Sequence, residues 1–119
     1  MEQTVKVIIV ARPGPLRDAL KALLAATSEL KVAVEVCGPE LMAGRRPPRA
    51  TVVVLTGNPF GVDLSITIGR LRGWWPRARL LVLAEDAAQW REAKAAGADR
   101  VHFKGISPQK LVRAVERLV

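Results

Sequence analysis

Few side chains in this 119-residue chain are of types that do covalent chemistry, and fewer are spaced to do it together. One cysteine (Cys37) and one histidine (His102) cannot furnish the donor set of a structural zinc site. A lone cysteine also forms no internal disulfide, and it fits a reducing, cytoplasmic setting. Thr56 offers a hydroxyl, but no base accompanies it to make a nucleophile. The loop "TGNPFG" (56–61) is too poor in glycine to be a phosphate-cradling P-loop. What remains is cationic. Arg12 and Lys104 each follow an apolar run. Arg45, Arg46 and Arg49 are interleaved with Pro47 and Pro48, and Lys110, Arg113 and Arg117 are spaced along the C-terminal stretch. Such groups hold anions or meet acidic surfaces. With no nucleophile–base pair, metal cluster or cofactor fingerprint, neither an enzyme nor a cofactor is expected.

Those residues are placed by a regular alternation of elements. "TVKVIIV" (Thr4–Val10) is short and β-branched, a buried strand. "PLRDALKALLAA" (Pro15–Ala26) has Leu16, Leu20, Leu23 and Leu24 at helical spacing, with Pro15 suited to the first turn. "KVAVEVC" (Lys31–Cys37) alternates and predicts a strand. "GPELMAGRRPPR" (Gly38–Arg49) has room for about one helical turn before Gly44 and two prolines stop it. "ATVVVLT" (Ala50–Thr56) predicts a third strand. "VDLSITIGRLRGWW" (Val62–Trp75) predicts a helix with Leu64, Ile68, Leu71 and Trp75 on one face, and Ser65, Thr67, Arg70 and Arg72 elsewhere. "ARLLVLA" (Ala78–Ala84) is a fourth strand. Asp86 and Gln89 form a capping box for a helix ending at Gly97. "DRVHF" (Asp99–Phe103) is a fifth strand, and Ser107 then caps a last helix with Pro108 at its first position. Leu111, Val115 and Leu118 line that helix's apolar face.

Five strands alternating with five helices, the second short, predict one domain over 1–119. The expected architecture is α/β, a doubly wound parallel sheet in the order 2-1-3-4-5. Ligands in such sheets bind at the carboxyl ends of strands 1 and 3. Here that crevice consists of Ala11, Arg12, Pro13, Thr56, Gly57 and Asn58, with Lys104 nearby. Half the residues are hydrophobic, enough for a core. No apolar run approaches the ~20 residues that span a bilayer, and "MEQTVKVIIV" lacks the marks of a signal peptide, so no membrane association is expected. The net charge of +8 favours acidic partners. Trp74 and Trp75 are expected to cover the core, and no stacking aromatics are interleaved with the cations, which disfavours nucleic-acid binding by this chain alone.

Four stretches, "VIIVARPGPLRDALKALL", "TVVVLTGNPFGVD", "WWPRARLLVLAED" and "GADRVHFKGISPQKLVRAV", resemble the receiver domains of bacterial response regulators. The similarity is greatest to receivers that precede a LuxR/NarL-type helix-turn-helix. It covers the whole chain and implies a flavodoxin-like (βα)5 fold. In that family an aspartate after strand 3 accepts a phosphoryl group, with Mg²⁺ held by two acids after strand 1. A Ser/Thr and a lysine bind the phosphoryl oxygens, and an aromatic in strand 5 responds. By the resemblance, the acid pair falls on Ala11 and Arg12, the aspartate on Thr56, and the Ser/Thr on Ala84. The lysine falls on Lys104 and the aromatic on Val101. Only Lys104 matches.

A hard cation needs oxygen ligands. Ala11 has none, and Arg12 repels it: two like unit charges ~4 Å apart cost on the order of 4 kcal/mol at a surface-like dielectric, and a divalent ion doubles that. The expectation is a pseudo-receiver, in a signalling or transcription regulator, that works without phosphorylation through a homodimer or a regulatory protein partner. A DNA-binding domain after Val119 would fit the resemblance. The family's partner face points to Trp90, Lys110, Arg113 and Arg117. Arg12 has two readings. It joins Thr56 and Lys104 in a small-anion or metabolite sensor site, or it pairs with Glu85 or Asp86 and fills the emptied pocket.

Overall fold

A computed structural model describes residues 5–27 and 32–119. Thr4 and Lys31, expected at the starts of the first two strands, lie outside the described residues. The strands are β1 (Val5–Val10), β2 (Val32–Cys37), β3 (Val52–Thr56), β4 (Arg79–Ala84) and β5 (Arg100–Phe103). The helices are α1 (Pro15–Thr27), α2 (Leu64–Trp74), α3 (Ala87–Ala95) and α4 (Pro108–Arg117), and a 3-10 turn (Pro39–Ala43) occupies the place of the short second helix. The strands pair in parallel in the order β2-β1-β3-β4-β5, as expected.

Each central strand sends alternate residues to opposite faces, which is why it reads as a continuous apolar run. Val7, Ile9, Val52, Val54, Leu81 and Leu83 meet α1 and α4 through Leu20, Leu24, Leu111 and Val115. Ile8, Val10, Val53, Leu55 and Val82 meet Ile68, Leu71, Trp75 and Ala93 on the other side. The outer strand β2 is half-wet, with Val32, Val34 and Val36 against the core and Ala33 and Glu35 exposed.

Two expectations about faces are corrected. Leu16 is not in the core: it lies one turn before Leu20, at the mouth of a cleft, and is 37 % exposed. Thr67 is buried, because its hydroxyl returns to the Asp63 carbonyl one turn earlier (3.3 Å) and needs no water. Trp75 is buried and donates from Nε1 to the Pro47 carbonyl (2.8 Å). Trp74 packs edge-on to it and carries the Arg46 guanidinium over its ring at 5.1 Å. The tryptophan pair therefore pins down the arginine-proline segment.

The caps follow the sequence. Asp86 accepts from the Gln89 amide (2.8 Å) and Ser107 from the Lys110 amide (3.3 Å). The Gln89 side chain reaches one residue further back than a capping box requires, accepting from the Glu85 amide. Gly97, with φ of 93°, takes the left-handed conformation that ends α3.

Candidate functional site

The carboxyl ends of β1 and β3 open into a cleft of about 300 Å³, bordered by Ala11, Arg12, Arg17, Thr56, Glu85 and Lys104. The parallel sheet puts it there. β1 and β3 are neighbours whose following helices leave toward opposite faces, so their loops part. Gly57, at φ of 72°, turns the chain sharply as it leaves β3.

Of the positions carried over from the sequence, Ala11, Arg12, Thr56 and Lys104 line this cleft. Ala11 and Ala84 are buried and offer no side-chain donor or acceptor. Val101 is a buried aliphatic in β5. Thr56 is 2 % exposed, and among the described residues its hydroxyl has no hydrogen-bond partner. Arg12 donates from Nε to the Asn58 carbonyl (2.9 Å), tying the loop after β1 to the loop after β3. Lys104 pairs with Glu85 (Nζ–Oε1 3.2 Å), while its amide donates to the Ala84 carbonyl (2.9 Å).

The expected pairing of Arg12 with Glu85 or Asp86 is thus corrected. Lys104 takes Glu85, Asp86 is spent on the α3 cap, and Arg12 finds a backbone carbonyl. The proposed trio of Arg12, Thr56 and Lys104 does border one cleft.

Arg17 is a member that the sequence did not mark. It sits three residues into α1, reaches the Ala11 carbonyl from Nη1 (3.4 Å), and keeps a buried Nε that has no partner among the described residues. Its place on the helix's first turn, beside the loop after β1, was the available signal. Cys37, at the end of β2, is buried; burial together with Glu40 and Glu35 pushes its thiol up to about 11, so it is a protonated core residue.

These donors do not fit Mg²⁺. Glu85 is the one carboxylate bordering the cleft and it is engaged by Lys104, while the positions that would face the ion carry a methyl, a guanidinium and a neutral hydroxyl. Among the described residues no group of three or more His, Cys, Asp or Glu side chains could hold a metal.

The residues expected to form a partner face lie on two elements, α3 and α4. Trp90 on α3 is half-buried against the core, with the Lys94 ammonium 5.3 Å from its ring centre. Lys110 and Arg113 on α4 are exposed, as is Arg117. Between the helices the outer strand β5 displays Phe103, 50 % exposed, which sequence patterning could not separate from a core aromatic. No described helix is long and apolar enough to cross a membrane.

No protein-family profile matches the chain, and no curated protein matches it. Solved structures do. A LuxR family DNA-binding response regulator from Silicibacter pomeroyi superposes with a TM-score of 0.74 at 22% identity, over 96% of this chain and 90% of that one. The chemotaxis response regulator CheY4 of Vibrio cholerae gives 0.76 at 20% identity, over 98% and 100%. A candidate pilus assembly protein from Burkholderia thailandensis gives 0.75 at 16% identity, over 96% and 97%. The chain therefore has the CheY-like receiver fold.

Proposed function

We propose that this chain is a regulatory interaction module with a receiver fold, controlled without aspartyl phosphorylation. One observation carries the proposal: the cleft at the ends of β1 and β3 has Ala11, Arg12 and Thr56 where phosphoryl chemistry needs three carboxylates, and Lys104 is neutralised by Glu85. On this account the module is a binding protein rather than an enzyme, and it acts in the cytoplasm. It docks a second copy or a regulatory protein through α3, β5 and α4, using Trp90, Phe103 and the α4 cations. The likeness to a LuxR family regulator supports an effector that binds DNA, with the DNA contacts outside this chain. The test is incubation with Mg²⁺ and acetyl phosphate, followed by intact mass. An unchanged mass is expected; a phosphoryl adduct would overturn the proposal.

The buried, unpartnered Thr56 hydroxyl and Arg17 Nε favour a second reading, in which a small anion occupies the cleft and shifts the same docking face. Arg12, Arg17 and Lys104 against Glu85 leave the cleft net positive. Saturable phosphate binding that disappears in Arg12→Ala marks this reading. Equal binding in the variant removes it.

A further inference from the structure

On the far side of β5 from Phe103, a second groove of about 300 Å³ lies between that outer strand and α4. It is lined by Arg100, His102, Lys110, Arg113 and Arg117, with Ala114 as its one apolar member. Two periodicities bring these together. Arg100 and His102 are two apart on a strand and share a face. Lys110, Arg113 and Arg117 are three and four apart on a helix and form a stripe. Among the described residues no carboxylate lines the groove, and none of the four Arg and Lys side chains has an ion pair.

We propose that this groove is a binding site for an oligophosphate: an inorganic polyphosphate chain or the phosphate tail of a nucleotide. Its size is at the lower end of small-molecule sites, which run from roughly 300 to 1,000 Å³. Three guanidiniums converging on one space match phosphate oxygens through paired N–H donors, whereas Lys110 acts as a point charge. A peptide needs a pocket for an apolar anchor, and Ala114 offers none. A single-stranded nucleic acid needs aromatic platforms for its bases, and the lining has no Trp, Tyr or Phe. The groove therefore reads the charged tail. The site is separate from the β1–β3 cleft; it shares Lys110, Arg113 and Arg117 with the proposed docking face, so an oligophosphate bound there competes with a docked partner.

His102 reports on the site. Burial, then the neighbouring Arg100 and Lys94, lower its pKa below the ordinary 6.5. Arg100 on its own strand and Lys110, Arg113 and Arg117 from α4 line the groove with it, and Lys94 of α3 adds to the positive field. A polyanion bound in the groove counters that field and moves the pKa back up.

It is the chain's one histidine, so its imidazole gives one assignable NMR signal. That signal is followed while inorganic triphosphate is added at constant ionic strength. Saturable shifts and a raised His102 pKa are expected, with affinity reduced about tenfold or more in Arg113→Ala and in Arg117→Ala, each of which loses a charge-assisted contact. Both positions are exposed, so the variants fold. A nucleoside triphosphate that binds more tightly than inorganic triphosphate identifies the nucleotide tail, and equal binding identifies the bare chain; both support the site. Three results overturn it: no shift, shifts matched by chloride at the same ionic strength, or binding of duplex DNA or an acidic peptide without any response to triphosphate.

Discussion

At the residue scale, Arg12 and Thr56 decide the chemistry of the main cleft. The Arg12 guanidinium, held by the Asn58 carbonyl, puts a positive charge on the cleft that disfavours a divalent ion, and Thr56, which borders the same cleft, offers only a neutral hydroxyl. Placing aspartate at Ala11, Arg12 and Thr56 together should create a carboxylate cluster whose self-repulsion destabilises the fold until Mg²⁺ binds. Thermal unfolding should then rise with Mg²⁺ in the triple variant and stay fixed in the parent, since only a ligand that binds the folded state stabilises it. A Mg²⁺-dependent rise in the parent would show that the cleft holds the ion after all. Asp99 is the other decisive residue. Burial alone raises its carboxyl pKa, but the Leu80 amide (2.7 Å) and the Arg72 and Arg79 guanidiniums outweigh burial and hold it below the ordinary 3.8. A depressed carboxylate stabilises the fold above its unfolded pKa and loses that contribution as pH falls through the folded one. Asp99→Asn should therefore cost about 1–3 kcal/mol at pH 7. In denaturant melts the gap from the parent should close as pH drops below 3.8, and a gap independent of pH would refute the role given to the charge.

At the element scale, Asp99 ties the entry of β5 to its neighbours. Its carboxylate joins the start of β4 to Arg72 on α2, while Arg72 also reaches the Ala78 and Gly97 carbonyls. The tryptophan pair does similar work at the same, C-terminal end of α2. Trp75→Ala should lower stability by about 3–5 kcal/mol, the usual loss for a buried aromatic. Ser107→Ala should remove about 1 kcal/mol with the α4 cap. Urea melts check both, and a Trp75→Ala loss under 1 kcal/mol would mean the ring is not structural. The elements were legible because buried parallel strands and capped helices leave local marks: β-branched runs, Asp86 with Gln89, and Ser107 with Pro108. The partners of charged side chains left none. Whether Arg12 or Lys104 takes Glu85 depends on loop geometry that spacing does not encode, and Arg100 met the α4 cations only after β5 had paired with β4. Leu16 and Phe103 show the same limit for apolar residues, since periodicity assigns a face but not what covers its end.

At the scale of the whole molecule, the chain shares its fold with response regulators, while its own cleft is bordered by Arg12, Arg17 and Lys104. Basic groups are concentrated in two separate places, the β1–β3 cleft and the β5–α4 groove, within a chain of net charge +8. Binding of an anion at either place should weaken with salt, because exposed charges are screened over about 10 Å at 0.1 M ionic strength. The central claim is that the switch runs without phosphorylation, and it is tested most directly by an amide NMR titration with Mg²⁺ and beryllofluoride, a phosphoryl mimic. The expected result is an unchanged spectrum at Thr56, Ala84 and Lys104. Saturable shifts at those residues, spreading to α3 and Trp90, would contradict it.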